Sequence, residues 1–365
     1  MRVLIVNAGS SSLKLTLLDG EENVLGEQEL RAPRALVDPD QLGAALDSPL
    51  GEADAVGHRI VHGGELYSGP VRIDAAVERS LRELVDLAPI HQPKSLAALD
   101  AVKEALPDLP AVACFDTAFH ATLSAAAHTY ALPASWRERW GLRRYGFHGL
   151  SHAWVAQRTP ELLGRDGTGL RIVSCHLGAG ASLCAIGDGR SQDTTMGFTP
   201  LEGLVMATRS GSVDPGMLLW LLEREDLSVA ELGEALEHHS GLLGLGGSED
   251  MREIVERASG SEPAAQLALD VYVHRLRAGI AAMAAALGGV DALVFTGGVG
   301  EHSAAVRSRT ALGLGFLGVA LDEARNERAQ ADGEIGADGA GAHTLVLRAR
   351  EDIEMARQVR RTLGR

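Results

Sequence analysis

The sequence of 365 residues is poor in cysteine and lysine and has no long apolar run. Three cysteines, an odd number in a chain of this length, cannot form a disulfide framework, so we expect buried free thiols. Lysine occurs only at Lys14, Lys94 and Lys103, and arginine supplies the remaining side-chain positive charge. The longest charge-free apolar stretch, residues 278–290, is shorter than the roughly 18 residues that a membrane span needs.

Positive charge is also scarce relative to negative charge. Thirty-four Lys and Arg residues face 49 Asp and Glu residues, a formal net charge of −15. This balance argues against nucleic acid or an anionic membrane as partner, although it does not exclude a small anionic ligand. The N-terminal apolar run, residues 3–6, is too short for a signal-peptide core. A reducing cytoplasm is therefore the expected compartment.

The composition is otherwise that of a folded protein. Hydrophobic residues make up 45% of the chain and charged residues 23%, which excludes wholesale disorder. The length allows two domains. Helix patterns alternate with strand patterns, which predicts the α/β class. We predict helices at residues 93–105, 263–287, 303–312 and 352–363, a helix capped by Ser151, and a solvent loop at 331–343.

Glycine, by contrast, is abundant, with 43 residues. Part of this excess lies in three turns that follow strand-like runs. Residues 3–17 and 171–186 both read as strand, turn of small residues and returning strand, which indicates two related halves. The third turn, residues 296–301, follows a strand-like run. Such turns let backbone N–H groups approach a phosphate, although a single one is more typical of an ordinary hairpin.

Several motifs resemble those of one family. The segment Asn-Ala-Gly-Ser-Ser-Ser-Leu-Lys at 7–14 and the segment His-Leu-Gly-Ala-Gly-Ala-Ser at 176–182 resemble the two signatures of acetate kinases. Further blocks match in the same order, so the resemblance covers nearly the whole chain. These blocks lie at 57–64, 88–91, 115–120, 144–152, 197–203, 208–211 and 297–301, followed by Glu351.

The resemblance implies the architecture. It implies an α/β fold of two ribonuclease-H-like (actin-like ATPase) domains around a nucleotide cleft, which agrees with the two related halves. Residues 1–116 plus 353–365 would form domain I, with the acyl substrate side and the first phosphate turn. Residues 117–352 would form domain II, with the second phosphate turn, the adenosine site and the dimer surface.

It also implies the activity. An acetate kinase reversibly transfers the γ-phosphoryl group of ATP to acetate, giving acetyl phosphate and ADP, with Mg²⁺ (or Mn²⁺ in its place) as cofactor. The family implies a homodimer. Two alternatives stay open: a propionate or butyrate kinase, because one methylene discriminates by only about 1–3 kcal/mol, and an actin-like, ATP-switched binding module without transfer activity.

The resemblance assigns residues to roles. The catalytic residues would be Arg59, His91, Asp116, His148 and Arg209. The acyl substrate would contact Arg59, Val61, Ile90, Phe147 and Pro200. The nucleotide would contact Ser10, Ser12, Lys14, His176, Leu177, Gly178, Ala179, Gly180, Asp250, Met251, Arg252, Gly298, Val299, Gly300, Glu301 and His302. The metal would be held by Asn7 and Glu351, with Asp116 directly or indirectly linked to it.

The residues alone allow plainer interpretations. Arg59 could be a surface ion-pair residue, Asp116 a helix cap, and Glu351 a carboxylate that complements a helix N-terminus. His148 could be a core or capping histidine. The four apolar substrate residues could be core.

Five positions depart from the usual family pattern. Ala179 and Ser212 stand where Asn and Asp are usual, and Gln92, His302 and Arg350 replace usual asparagines. These departures concern nucleotide affinity and the charge balance around Arg209 rather than the reaction class.

Overall fold

The computed structural model describes residues 1–9, 12–31, 38–87, 92–224, 227–330 and 332–364. The chain divides into two compact units. Unit 1 comprises Met1–Ala121, Phe147–Trp154 and Arg350–Arg365, and unit 2 comprises Thr122–Gly146 and Val155–Ala349. Three predicted site residues, Ser10, Ile90 and His91, lie outside the described residues.

The units differ from the predicted domains at residues 117–121, 147–154 and 350–352, which all group with unit 1. Hydrogen bonds explain the middle segment. The Gly149 N–H donates to the Asp116 carbonyl at 2.8 Å, and His120 Nε2 lies 3.0 Å from the Phe147 carbonyl oxygen. Leu150 is buried in the unit 1 core. The start of this helix is therefore fixed by contacts within unit 1.

Unit 1 is built on a six-stranded sheet. Its strands are β1 (Val3–Ala8), β2 (Ser12–Leu18), β3 (Val24–Arg31), β4 (Ala55–Ile60), β5 (Val71–Arg72) and β6 (Ala111–Phe115), in the order β3-β2-β1-β4-β6-β5. The first three form an antiparallel meander. Strands β4 and β6 add in parallel to β1, and the short β5 pairs antiparallel with β6.

Alternation along these strands gives the sheet two buried faces. One face carries Leu4 and Val6 and packs against helices α1 (Pro39–Leu46) and α3 (Gln92–Ala105). The other face carries Val3 and Ile5 and packs against the last helix, α15 (Glu351–Thr362). The C-terminal helix therefore completes the unit 1 core. Helix α2 (Ala75–Glu83) packs near α3.

Unit 2 repeats the same sheet topology. Its strands are β7 (Arg171–Leu177), β8 (Ala181–Gly187), β9 (Arg190–Thr194), β10 (Ala292–Thr296), β11 (Gly333–Glu334) and β12 (His343–Val346), in the order β11-β12-β10-β7-β8-β9. Again the first three strands are antiparallel, the next two add in parallel, and a short edge strand closes the row. The predicted α/β fold with two ribonuclease-H-like domains is confirmed.

The remaining helices belong mostly to unit 2. Helix α6 (Gly149–Leu163) begins in unit 1 and ends in unit 2. The others are α4 (Ala125–His128), α5 (Ala134–Trp140), α7 (Pro215–Arg224), α8 (Val229–His238), α9 (Gly241–Gly246), α10 (Met251–Ser259), α11 (Pro263–Leu287), α12 (Gly297–His302), α13 (Ala304–Leu312) and α14 (Glu323–Glu327). Among the residues described, none of these helices combines the length and apolarity required to cross a bilayer.

Some predictions of individual helices, caps and turns are confirmed, and others are wrong. Helix 263–287 is confirmed, and it ends where Gly288 adopts a left-handed φ of 69° and donates its N–H to Ala284. The cap prediction for Ser151 is wrong, because α6 already begins at Gly149. The turn predicted at 296–301 is largely helical, as α12. The three cysteines are buried thiols outside any disulfide, as predicted, and burial raises the pKa of each thiol.

Candidate active site

A polar cluster in unit 1 centres on Arg59. This residue lies near the carboxyl end of β4, between the ends of β1, which carries Asn7, and β6, which Asp116 follows. Arg59 Nε lies 3.1 and 3.0 Å from the two carboxylate oxygens of Asp116, and Nη2 lies 2.8 Å from one of them. Nη1 donates to Asn7 Oδ1 at 3.1 Å and lies 3.3 Å from Glu351 Oε2. The fold thus joins four predicted site residues through one guanidinium.

Because the cluster is buried, its charged groups interact strongly with one another. The Asp116 side chain is only 3% exposed. Burial, together with the neighbouring Glu351 carboxylate, raises the pKa of Asp116 to about 6, although Arg59 acts in the opposite direction. Burial also disfavours the charged form of Arg59, but Asp116 and Glu351 outweigh that effect and raise its pKa. Two carboxylates share one guanidinium, so the cluster carries an excess negative charge when both are ionised.

The donor set of this cluster fits a hard cation only in part. Magnesium prefers carboxylate and amide oxygens, which Asp116, Glu351 and Asn7 all offer. Among the residues described, no group of three or more His, Cys, Asp and Glu side chains could hold a metal ion. A magnesium ion here would therefore complete its shell with oxygens from phosphate or water, as is usual for this ion in phosphoryl-transfer sites.

The entry to α6 forms a second feature of unit 1. Phe147 is buried, and its ring meets the edge of the His62 ring at a centroid distance of 5.5 Å. His148 adopts a positive φ of 57°, which is uncommon for a residue with a side chain and accumulates at functional sites. Val61 follows β4 directly and is half-buried.

Gln92 is a residue of this region that sequence reasoning undervalued. It is fully buried, its Oε1 accepts the His62 N–H at 3.2 Å, and its Nε2 donates to the His62 carbonyl at 3.3 Å. Gln92 therefore fixes the turn after β4, which carries Val61. The only signal in the sequence was that glutamine replaced a usual asparagine.

The first phosphate turn lies between β1 and β2. The Gly9 N–H donates to the Ser12 carbonyl at 2.8 Å, which closes the turn. Lys14 lies in β2, where its Nζ pairs with Glu27 Oε1 at 2.9 Å across to β3. Both of these side chains are about half exposed, so the ion pair is weak and Lys14 can exchange partners at little cost.

The second phosphate turn belongs to unit 2 and lies beside the third. His176 and Leu177 end β7, and Gly178–Gly180 forms the turn, where the Gly178 N–H donates to the Gly180 carbonyl at 2.9 Å. His176 is paired with Thr296 of β10. A Cβ on Gly297 would lie 2.8 Å from the Leu177 carbonyl oxygen, so only glycine fits there. The fold thus brings the two predicted groups of nucleotide residues, 176–180 and 298–302, together.

A buried arginine that the motifs did not reveal supports α12. The Arg307 guanidinium donates to the carbonyls of Gly300 and Glu301, and to the side chain and carbonyl of Asn326, at 2.8–2.9 Å. The Glu301 carboxylate in turn accepts the N–H groups of Gly297 and Ala349. This network fixes the backbone of the third turn.

The predicted base-site residues make local contacts. Asp250 caps α10 by accepting the Arg252 N–H at 2.8 Å, and its carboxylate also pairs with the exposed Arg252 guanidinium at 2.7 Å. Met251 is buried beneath them. These contacts are those of an ordinary helix cap with a surface ion pair, and they neither require nor prevent nucleotide binding.

Arg209 is the second predicted catalytic arginine and lies in a loop of unit 2. Its Nη1 donates to the Pro200 carbonyl at 3.0 Å and lies 3.5 Å from Met206 Sδ, and its Nε lies 3.4 Å from Glu237 Oε2. Burial lowers the pKa of Arg209, and the Glu237 carboxylate opposes this. Two predicted residues, Arg209 and Pro200, are therefore in direct contact.

The duplicated sheet and the polar clusters at its strand ends define a class: two-domain α/β proteins of the acetate and sugar kinase type. The family model for the acetokinase family matches residues 40–357. The chain belongs to the acetokinase family.

Individual relatives agree with that family. An acetate kinase from Nostoc punctiforme is 50% identical over 308 residues, which is 84% of this chain and 76% of the relative. The crystal structure of Porphyromonas gingivalis acetate kinase superposes with a TM-score of 0.91 at 36% identity, covering 99% of both chains. A propionate kinase from Francisella tularensis also has a TM-score of 0.91, at 31% identity over 98% of both chains.

Proposed function

We propose that this protein is an acetate kinase, which reversibly transfers the γ-phosphoryl group of ATP to acetate to give acetyl phosphate and ADP. The observation that carries the proposal is the set of contacts around Arg59. A guanidinium and two carboxylates gathered at the carboxyl ends of parallel strands, beside Asn7, are suited to a magnesium-bound phosphate, because the cation offsets the excess negative charge of Asp116 and Glu351.

The reaction requires the protein mainly to position the reactants and to stabilise charge. Acetate is ionised at neutral pH and needs no strong base, so catalysis depends on orientation and on stabilising charge that spreads over the phosphoryl oxygens. We assign this stabilisation to Arg59, Arg209 and His148. His91 and Ile90, outside the described residues, keep their proposed catalytic and acyl-binding roles.

Magnesium completes the proposed site. When bound, the ion would neutralise charge on the β- and γ-phosphates. Asn7 and Glu351 are the proposed ligands, with Asp116 bound directly or through water. Glu351 and Asp116 leave negative charge in excess over Arg59, and this excess supports a cation at the cluster.

The nucleotide phosphates are assigned to the glycine-rich turns. The small residues at 178–180 leave backbone N–H groups accessible to anionic oxygens. Ser10, Ser12 and Lys14 are proposed to contribute from the first turn, and residues 250–252 and 298–302 to contact the base and ribose.

Propionate or butyrate kinase activity is the second candidate, favoured by the similarity to the propionate kinase from Francisella tularensis. The acyl group is assigned to Val61, Ile90, Phe147 and Pro200, and a pocket of such side chains discriminates one methylene by only about 1–3 kcal/mol. Acetate and its homologues therefore have to be compared directly.

A hydroxamate assay decides between these functions. Purified protein is incubated with Mg-ATP, hydroxylamine and either acetate, propionate or butyrate, and any acyl phosphate is trapped as its hydroxamate. We expect the highest kcat/KM with acetate. A higher kcat/KM with propionate or butyrate would show that this acid is the preferred substrate. If no acid gives a hydroxamate, the ATP-switched binding module becomes the better description of the protein.

We also propose that the protein is a cytoplasmic homodimer. Three buried cysteines outside any disulfide support a reducing compartment. Trp136 and Trp140 pack together on α5, and α7 exposes Met217, Leu219 and Trp220. Each helix therefore carries a group of exposed apolar side chains, and such groups commonly mark an interface.

A further inference from the structure

Arg209 has a carboxylate partner that no motif indicates. We propose that Glu237 is a positioning residue, which holds the Arg209 guanidinium so that one of its nitrogens stays directed to the substrate. This inference rests on the catalytic role proposed for Arg209. Glu237 lies in the last turn of α8, 28 residues after Arg209, and its side chain is only 13% exposed.

Hydrogen bonds join the loop that carries Arg209 to the end of α8. The Thr208 hydroxyl donates to the Glu237 carbonyl at 2.8 Å, and the Ser210 N–H donates to the Leu236 carbonyl at 3.0 Å. The Ser240 N–H donates back to the Thr208 carbonyl at 2.9 Å. The loop that carries Arg209 is therefore fixed to the end of α8, so that the backbones of Arg209 and Glu237 stay close together.

The three nitrogens of the Arg209 guanidinium have different contacts. Nε faces Glu237 at 3.4 Å, and Nη1 donates to the Pro200 carbonyl at 3.0 Å. Within the ranges that the structure describes, Nη2 of Arg209 has no hydrogen-bond acceptor, whereas all three nitrogens of Arg59 are engaged. A planar guanidinium with an ion pair at Nε and a hydrogen bond at Nη1 is restricted in its orientation. It presents Nη2 to an anionic group.

The position of Glu237 in its helix supports a specific role. A carboxylate in the last turn of a helix faces the negative end of the helix dipole, which is unfavourable. Pairing with the buried Arg209 compensates for this placement. Ser212, where the family pattern usually has aspartate, instead accepts the Gly203 N–H through its hydroxyl. In the part of the chain that the structure describes, Glu237 is the only carboxylate in ion-pair contact with Arg209.

Kinetics on three variants test the proposal. Glu237→Ala removes both the charge and the acceptor, and Glu237→Gln keeps an acceptor of the same shape. Glu234→Gln changes an exposed carboxylate one turn earlier on α8 and is the matched control. We expect Glu237→Ala to lower kcat about 10-fold with the KM for ATP changed less than about twofold, as for loss of a charge-assisted contact. Glu237→Gln should lose less, and Glu234→Gln should match the wild type.

A double-mutant cycle separates positioning from general damage. If Glu237 acts through Arg209, then Glu237→Ala should lower kcat by less than about twofold when it is added to Arg209→Ala. An equal loss of kcat in both backgrounds would overturn the proposal, as would an unchanged kcat for Glu237→Ala in the wild-type background.

A spectroscopic readout tests the contact without using activity. The Nε–H resonance of Arg209 is assigned by its disappearance in Arg209→Lys. It should shift and broaden in Glu237→Ala but stay unchanged in Glu234→Gln. An unchanged resonance in Glu237→Ala overturns the positioning role even if the wild type is an acetate kinase. Hydroxamate failure in the wild type, with the resonance shifted as expected, instead overturns the proposed function alone.

Discussion

At the scale of single residues, Arg59 has the most demanding environment in unit 1. Its guanidinium contacts Asp116 through Nε and Nη2, and it contacts Asn7 and Glu351 through Nη1. Lysine keeps the positive charge but has one nitrogen, so it cannot reproduce this planar set of contacts. The geometry of the guanidinium, and not only its charge, is therefore what the site requires.

The substitution Arg59→Lys tests this requirement. We expect kcat to fall by roughly 100-fold or more, because lost orientation weakens transition-state stabilisation, while the KM for ATP changes little. Arg82→Lys is the control, since Arg82 forms a half-exposed pair with Asp100. A proportionate rise in the KM for ATP, with kcat retained, would contradict the assigned role.

His58, the buried histidine that precedes Arg59, makes the stability of the protein depend on pH. Burial lowers the pKa of His58 to about 4, and its Nδ1 has no hydrogen-bond partner among the described residues. The unfolded chain takes up a proton near the ordinary histidine pKa of 6.5, whereas the folded chain does so only near 4. Between these values the unfolded state binds more protons, so the free energy of unfolding falls as the pH is lowered through this window.

Urea unfolding at pH 7 and pH 5 measures this effect. His58 alone should cost about 2 kcal/mol of unfolding free energy between these two values. His58→Leu should reduce the pH dependence by that amount, while His274→Gln, which changes an exposed histidine of α11, should leave it unchanged. An equal pH dependence in His58→Leu and wild type would show that His58 does not titrate as its burial requires.

At the scale of elements, the segment 195–203 is held by a polar cluster in unit 2. Arg144 donates to the carbonyls of Thr195 and Met196 at 3.0 Å and pairs with Glu202 at 2.7 Å. The Tyr130 hydroxyl donates to Glu202 and accepts the Phe198 N–H. This cluster fixes the loop whose Pro200 carbonyl contacts Arg209, so packing far from the guanidinium helps to orient it.

Gly197 is the tightest point of that segment. A Cβ there would lie 1.7 Å from Glu202 Oε2 and 2.2 Å from the Tyr130 hydroxyl oxygen. Gly197→Ala should therefore lower the Tm and kcat together, by displacing the cluster and the loop. Gly233→Ala is the control, because a Cβ on this α8 glycine meets nothing within 4 Å and should stabilise the helix by about 0.5–1 kcal/mol. Equal Tm values for the two variants would contradict the packing argument.

Sequence patterns identify some of these elements and not others. The continuous apolar run of β1, the alternation in β2 and the glycine after α11 determine local structure directly, so these elements are predictable. The α6 start is not, because the helix begins two residues before Ser151, at Gly149, whose N–H donates to the Asp116 carbonyl, 33 residues earlier. Gln92, Arg307 and Glu237 act through contacts at long sequence separation, which no local pattern reveals.

At the scale of the whole molecule, the two sheets share one strand order, which indicates that a single motif was used twice. The motif places polar residues at the carboxyl ends of its parallel strands in each unit. Asn7 and Arg59 occupy this position in unit 1, and His176 and the Gly297 turn occupy it in unit 2. The net charge of −15 is a property of the whole surface and does not describe these local sites.

The last whole-molecule property is assembly. Helix α7 has no fully buried residue, and Met217, Leu219 and Trp220 are 43%, 63% and 49% exposed. Trp136 and Trp140 of α5 are also about half exposed. Such side chains are costly to leave in water, and burial against the same face of a second copy would remove that cost.

Light scattering coupled to size exclusion tests the proposed dimer. The wild type should elute with twice the chain mass of 38.4 kDa. Trp220→Glu should shift the population to the monomer, because an unpaired carboxylate would be buried at the contact. Leu312→Glu is the control, since Leu312 lies at the end of α13 in the same unit and is 86% exposed. A monomeric wild type would contradict the dimer, and dissociation by both variants would show that added charge, rather than the α7 face, separates the copies.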